Sequence, residues 1–205
     1  MKKTKNKAMK KEKNTYLMPI ILAVLMVLAL FSENIAGLFQ SDFEKELRKL
    51  DEINEKFDTD MYGFPETMEE DSLLLDDLTE LTNIEVTEPF KLLLDIRLKL
   101  VESDVFFKEG WKHGRGSTTK WGFGCRKGLP RLRNATFNRD VSSQVGYEAT
   151  ALMNKMIEKY PKEAGIADVT AKQVLFLNAS FSQEEKDAKR DRSLVESACV
   201  KDEDE

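Results

Sequence analysis

Pro89-Phe90-Lys91-Leu92-Leu93-Leu94-Asp95-Ile96-Arg97-Leu98-Lys99-Leu100-Val101-Glu102-Ser103 is the stretch that decides the fold. Proline suits a first helical position, because its missing N–H is one a helix start leaves unpaired anyway. Behind it, apolar side chains point almost all round a 3.6-residue period. A helix of that kind is central and buried. Its polar positions form one stripe, Lys91, Asp95, Lys99 and Glu102.

Outward from this helix the pattern stays helical. Six glycines between positions 110 and 128 argue against a helix there, since glycine is a poor helix former. A second helix is expected from Ser142 to Tyr160, with Val145, Ala149, Leu152, Met156 and Tyr160 on one face and Pro161 stopping it. A third is expected from Asp168, read as its N-cap, to Asn178. A fourth is expected from Glu184 to Cys199, polar except for Leu194, Val195 and Ala198. No segment carries a strong strand pattern.

Charge divides the chain. Ser41–Glu88 holds 17 acids against 4 bases, and Pro89–Arg139 holds 12 bases against 4 acids. The acidic segment starts with Phe43, Leu47, Leu50, Ile53 and Phe57 at helical spacing, breaks at Tyr62-Gly63-Phe64-Pro65, and resumes with Leu73-Leu74-Leu75, Leu78 and Leu81. It reads as a helical stalk or as a cover for the main domain. Residues 1–15 carry seven lysines and one acid, and Tyr16–Phe31 carries no charge. Those uncharged residues span about 24 Å as a helix, against about 30 Å of bilayer hydrocarbon, and Ile35–Phe39 extends the apolar run. A cleaved signal peptide and an uncleaved anchor compete. The run lacks a small-residue cleavage site at its end, which favours the anchor. The lysines then stay cytoplasmic and the rest of the chain faces outward. That location permits a Cys125–Cys199 disulfide.

The resulting organisation is mainly α. It has a basic cytoplasmic tail at 1–15, a transmembrane anchor at 16–39, an acidic helical stalk or cover at 40–88, a helical domain at 89–199 and an acidic tail at 200–205. One histidine and two cysteines exclude a Cys/His zinc site and an iron–sulfur cluster. No metal and no cofactor are expected.

Glu102 is the carboxylate of most interest. At the C-terminal end of a buried helix it would meet the negative end of the helix dipole and lose water. Both effects raise a carboxyl pKa. A carboxyl kept protonated near neutral pH suits general-acid attack on a glycosidic oxygen. The bland reading is a surface glutamate at a frayed helix end. Between Gly110 and Arg139 lie eight basic residues and no acid, interleaved with Trp111, Trp121, Phe123 and Phe137. Such a segment suits an anionic or sugar polymer, or packs on the acidic stalk. An outward-facing domain argues against nucleic acid. His113 and Cys125 fall in one expected loop with no third group, which gives little support to a cysteine hydrolase.

Three segments together resemble the lysozyme-like lytic transglycosylases of the soluble type, over residues 89–180. The helix ends Leu98-Lys99-Leu100-Val101-Glu102-Ser103, as that family's catalytic Glu-Ser pair does. Phe137–Gly146 leads into Tyr147–Tyr160, similar to the family's aspartate and glycine before a long helix. Val174-Leu175-Phe176-Leu177-Asn178-Ala179-Ser180 is similar to its Ala-Tyr-Asn-Ala-Gly segment. The family's Gly-Leu-Met-Gln segment has Trp121-Gly122-Phe123-Gly124-Cys125 in its place, and its tyrosine is Leu177.

The resemblance implies a lysozyme-like fold and an anchored enzyme that cuts peptidoglycan glycan strands between N-acetylmuramic acid and N-acetylglucosamine. Glu102 would serve as acid and then base, closing a 1,6-anhydro ring. Ser103, Trp121, Phe123, Tyr147 and Asn178 would contact substrate. Hydrolysis instead would need a positioned water and a second carboxylate, for which Asp104 and Asp140 are candidates. The alternative is a catalytically inactive module on the same fold, which binds glycan or the proteins of an envelope machine.

Overall fold

The computed structural model describes residues 40–57, 64–114 and 124–202. The expected anchor at 16–39 and its basic tail, together with Trp121 and Phe123, lie outside the described residues. So do the side chain of Cys125 and the acidic tail beyond Asp202. Among the described residues the fold is mainly α, with six helices and no extended strand. None of these helices is long and apolar enough to cross a membrane.

α1 (Asp42–Asn54) buries the stripe that its spacing predicts, Phe43, Leu50 and Ile53. Phe43 meets Phe90 edge-on at 6.3 Å. The buried carboxylate of Glu46 accepts hydrogen bonds from the Thr87 backbone N–H, at 2.8 Å, and from the Thr87 hydroxyl. That pins α1 to the entrance of α3. α2 (Met68–Thr82) starts earlier than its leucines suggest, because Thr67 and Glu70 form a reciprocal capping box. Leu74 and Leu78 face inward with no exposed surface. The acidic segment is therefore packed on the domain and shares its core, as a cover would.

α3 (Glu88–Gly114) is the central helix. Phe90, Leu94 and Val101 have no exposed surface, and Leu92, Leu93, Ile96 and Leu100 are buried beside them. α4 (Gly124–Lys159) runs antiparallel to it. The direction is fixed by pairings that step opposite ways along the two helices: Lys99 with Glu148, Ser103 with Ser142, and Gly110 with Ala135 and Arg139. α5 (Pro161–Ile166) is one short turn-like helix. α6 (Ala171–Asp202) returns antiparallel along α4, with Asn178 against Thr150, Phe181 against Tyr147 and Glu184 against Arg139.

Four expectations need correction. The central helix does not end at Ser103 but runs on to Gly114, into the start of the glycine stretch expected to break it. Gly110 is used there for close packing. A Cβ at this position would stand 2.7 Å from Arg139 Cγ and 3.1 Å from the Ala135 carbonyl oxygen. The second helix begins at Gly124 rather than Ser142 and carries Pro130 on an exposed face. The third and fourth helices are one. Asp168 does not cap that helix, because its φ of 52° is left-handed. Thr170 does so with Gln173: the Gln173 N–H donates to the Thr170 hydroxyl, and Gln173 Oε1 accepts from the Thr170 N–H at 3.0 Å.

Candidate functional site

Glu102 sits in the middle of α3, so the dipole argument for it fails. Its side chain is 41% exposed, and its carboxylate accepts from Lys99 Nζ at 3.1 Å. Lys99 reaches Glu148 of α4 at 3.0 Å as well. The hydrogen bond to Glu148, then that to Glu102, raises the Lys99 pKa. The three side chains tie the outer edges of α3 and α4 together.

The other expected contact residues scatter along the helix seams. The Ser103 hydroxyl is buried and donates to the Ser142 carbonyl at 2.8 Å, while the Ser142 hydroxyl donates to the Ser103 carbonyl at 2.7 Å. Tyr147 packs edge-on against Phe181 at 5.9 Å. Asn178 accepts from the Thr150 hydroxyl at 2.7 Å. These three hold helices together and do not converge on Glu102. His113 lies on the last turn of α3, not in a loop, and pairs with Glu109 at 2.8 Å. Cys199 is buried and disulfide-bonded.

A cleft of about 280 Å³ opens between α3, α4 and α6. Its apolar wall is Phe64, Leu100, Phe107, Phe176, Leu177 and Phe181; Ser103, Asp104, Ser142, Ser180 and Glu184 add polar atoms. Glu102 does not line it. Leu177, which stands where the resembled family has tyrosine, does. Phe107 continues outward to Trp111, edge-on at 6.2 Å, so an aromatic shelf leads from the cleft mouth. Phe176 is 53% and Trp111 is 50% exposed.

Charged groups frame this cleft in pairs. Arg139 binds Glu184 through Nε and Asp191 through Nη1, which locks α4 to α6. Lys108 Nζ lies 2.6 Å from both Asp71 and Asp104. Burial alone would lower the Lys108 pKa, but its hydrogen bonds to Asp104 and Asp71 outweigh that and raise it. Burial pushes the Asp71 carboxyl up, against the pull of Lys108. Asp140, the other carboxylate that the sequence offers, is also pushed up by burial, and one of its oxygens is buried without a partner among the described residues. Among the described residues no three His, Cys, Asp or Glu side chains could hold a metal ion.

Sequence reasoning missed Phe107, Lys108, Phe181 and Asp71. Asp104 and Lys108 stand four apart on a helix, a spacing that announces an ion pair. Asp71 has no local signal, since its partner is 37 residues away. Compared with protein-family models, curated proteins and solved structures, the chain matches none.

Proposed function

We propose that the chain is a membrane-tethered, outward-facing module that binds peptidoglycan glycan strands without cutting them. The observation that carries this reading is the cleft with its aromatic mouth. Phe176 and Trp111 are each about half exposed, Phe176 lines the cleft beside Phe107, and exposed aromatic rings can stack on the apolar faces of sugar rings. The lysine block and apolar run at the N-terminus support the tether, and the order of the three resembling segments supports an envelope setting on a lysozyme-like scaffold. A glycosidase acid must reach the scissile oxygen inside the cleft, whereas Glu102 faces water beside Lys99, outside it.

Cleavage through Glu102 is the second reading. Its favouring observation is that the next residues on the chain, Ser103 and Asp104, do line the cleft. One experiment decides between the two. The full chain in detergent micelles is incubated with purified peptidoglycan, pelleted, and the supernatant analysed by mass spectrometry. Binding predicts co-sedimentation that Phe176→Ser abolishes and Glu102→Gln leaves intact, with no released fragments. Anhydro-muropeptides lost in Glu102→Gln would establish the transglycosylase instead. Absence of both binding and release would remove the glycan from the proposal.

A further inference from the structure

Two carboxylates and one ammonium meet where α2 crosses α3. Lys108 Nζ is 2.6 Å from Asp71 Oδ2 and 2.6 Å from Asp104 Oδ2, and it donates to the Pro65 carbonyl at 2.5 Å. The Asp71 side chain has no exposed surface; those of Asp104 and Lys108 are 15% and 21% exposed. Asp71 Oδ1 is buried with no hydrogen-bond partner among the described residues. Among the described residues, the charged groups that act on Asp71 are Lys108 and Asp104 from α3 and Glu70 from its own helix. Two of those three are negative. An ionised Asp71 therefore keeps one oxygen desolvated and bare, repels Asp104, and must share its lysine. A proton on Oδ1 removes the charge and leaves Lys108 to Asp104.

We propose that Asp71 is a proton-operated latch: a proton taken from water onto Oδ1 tightens α2 and the Phe64–Pro65 segment against α3, and its loss loosens them. The sign follows from burial. Docking raises the Asp71 pKa above the ordinary 3.8, and undocking returns it to water. The extra stability is full below the ordinary value and is lost as pH rises through the raised one. Lys108 is shifted upward, so it stays charged across that window. Phe64 and Asp104 both line the cleft, so the latch also sets the position of its wall. That coupling rests on the cleft being the glycan site, whereas the latch itself does not.

The test is hydrogen exchange of the α2 amides in the full chain in micelles from pH 4 to 8, corrected for intrinsic rates, with central α4 amides as reference. The wild type should lose α2 protection as pH rises, about tenfold for each pH unit by which docking raises Asp71, while α4 stays constant. Asp71→Asn should flatten the α2 profile. Asp104→Asn, which removes the repulsion, should move its midpoint to lower pH. A wild-type α2 profile that tracks α4 would overturn the latch, as would an Asp71→Asn profile like that of the wild type. Should Asp71→Asn not fold, an unmoved midpoint in Asp104→Asn overturns it equally. Peptidoglycan co-sedimentation that follows the α2 midpoint supports the coupling; co-sedimentation constant across that midpoint removes the coupling alone.

Discussion

α3 is held on two sides by different physics. Against α4, the seam is made of small and hydroxyl-bearing residues. Ser103 and Ser142 exchange hydrogen bonds with each other's carbonyls, and Gly110 lets the Arg139 side chain lie against the helix. Every hydroxyl donor in that exchange is satisfied. Against α2, the seam combines Leu74 and Leu78 with a buried ion cluster that leaves an oxygen of Asp71 bare. The first seam is close-packed around uncharged groups, with the Lys99–Glu148 pair at its outer edge. The second depends on its protons. A glycine or serine in a helix interface brings two backbones together at no electrostatic cost, while a lysine between two carboxylates joins helices only conditionally.

Substitutions can break each side of this contrast. Lys108→Ala should have the largest effect. It leaves Asp71 buried with no cation and should cost about 3–5 kcal/mol, read by chemical denaturation of the full chain in micelles. Exchange of the α2 amides should rise far more than that of α4. Gly110→Val comes next. It drives a branched side chain against Arg139 and the Ala135 carbonyl and should cost about 1–3 kcal/mol, with no change in the pH profile of stability. A cost that varied with pH would mean the two seams are coupled. Ser103→Ala is smaller. It removes the donor to the buried Ser142 carbonyl and should cost about 1 kcal/mol. Glu102→Gln should be smallest, within about 0.5 kcal/mol, because its ion pair is exposed. A loss above 2 kcal/mol would show that the Lys99 bridge carries more of the α3–α4 seam than its exposure suggests.

The helical class and the core were legible. Phe90 to Val101 had to be buried because no polar face wide enough for solvent existed, and the α1 stripe followed from spacing alone. The end of α4 before Pro161 was legible, but the boundaries around the glycine stretch were not, for a physical reason. Gly110 looks like a helix breaker by propensity, yet its close approach to α4 rewards the missing side chain more than propensity penalises it. The start of α6 is legible in sequence, since Thr170 and Gln173 form a Thr-x-x-Gln capping pattern, whereas Asp168 offers only a favoured N-cap residue type. The cleft was legible only in pieces. Tyr147 and Asn178 were placed on the correct helices but serve the seam between them. The aromatic wall needs α3, α6 and the Phe64 segment together, and nothing local in Phe107 or Phe181 announces it.

The succession of α3, α4 and α6 as antiparallel neighbours has a kinetic side. Each long helix packs on the one before it in the chain, so most of the core closes over short sequence separations, and topologies of that kind fold fast. The disulfide at Cys199 would then form on a bundle already assembled, and its oxidation would record folding rather than direct it.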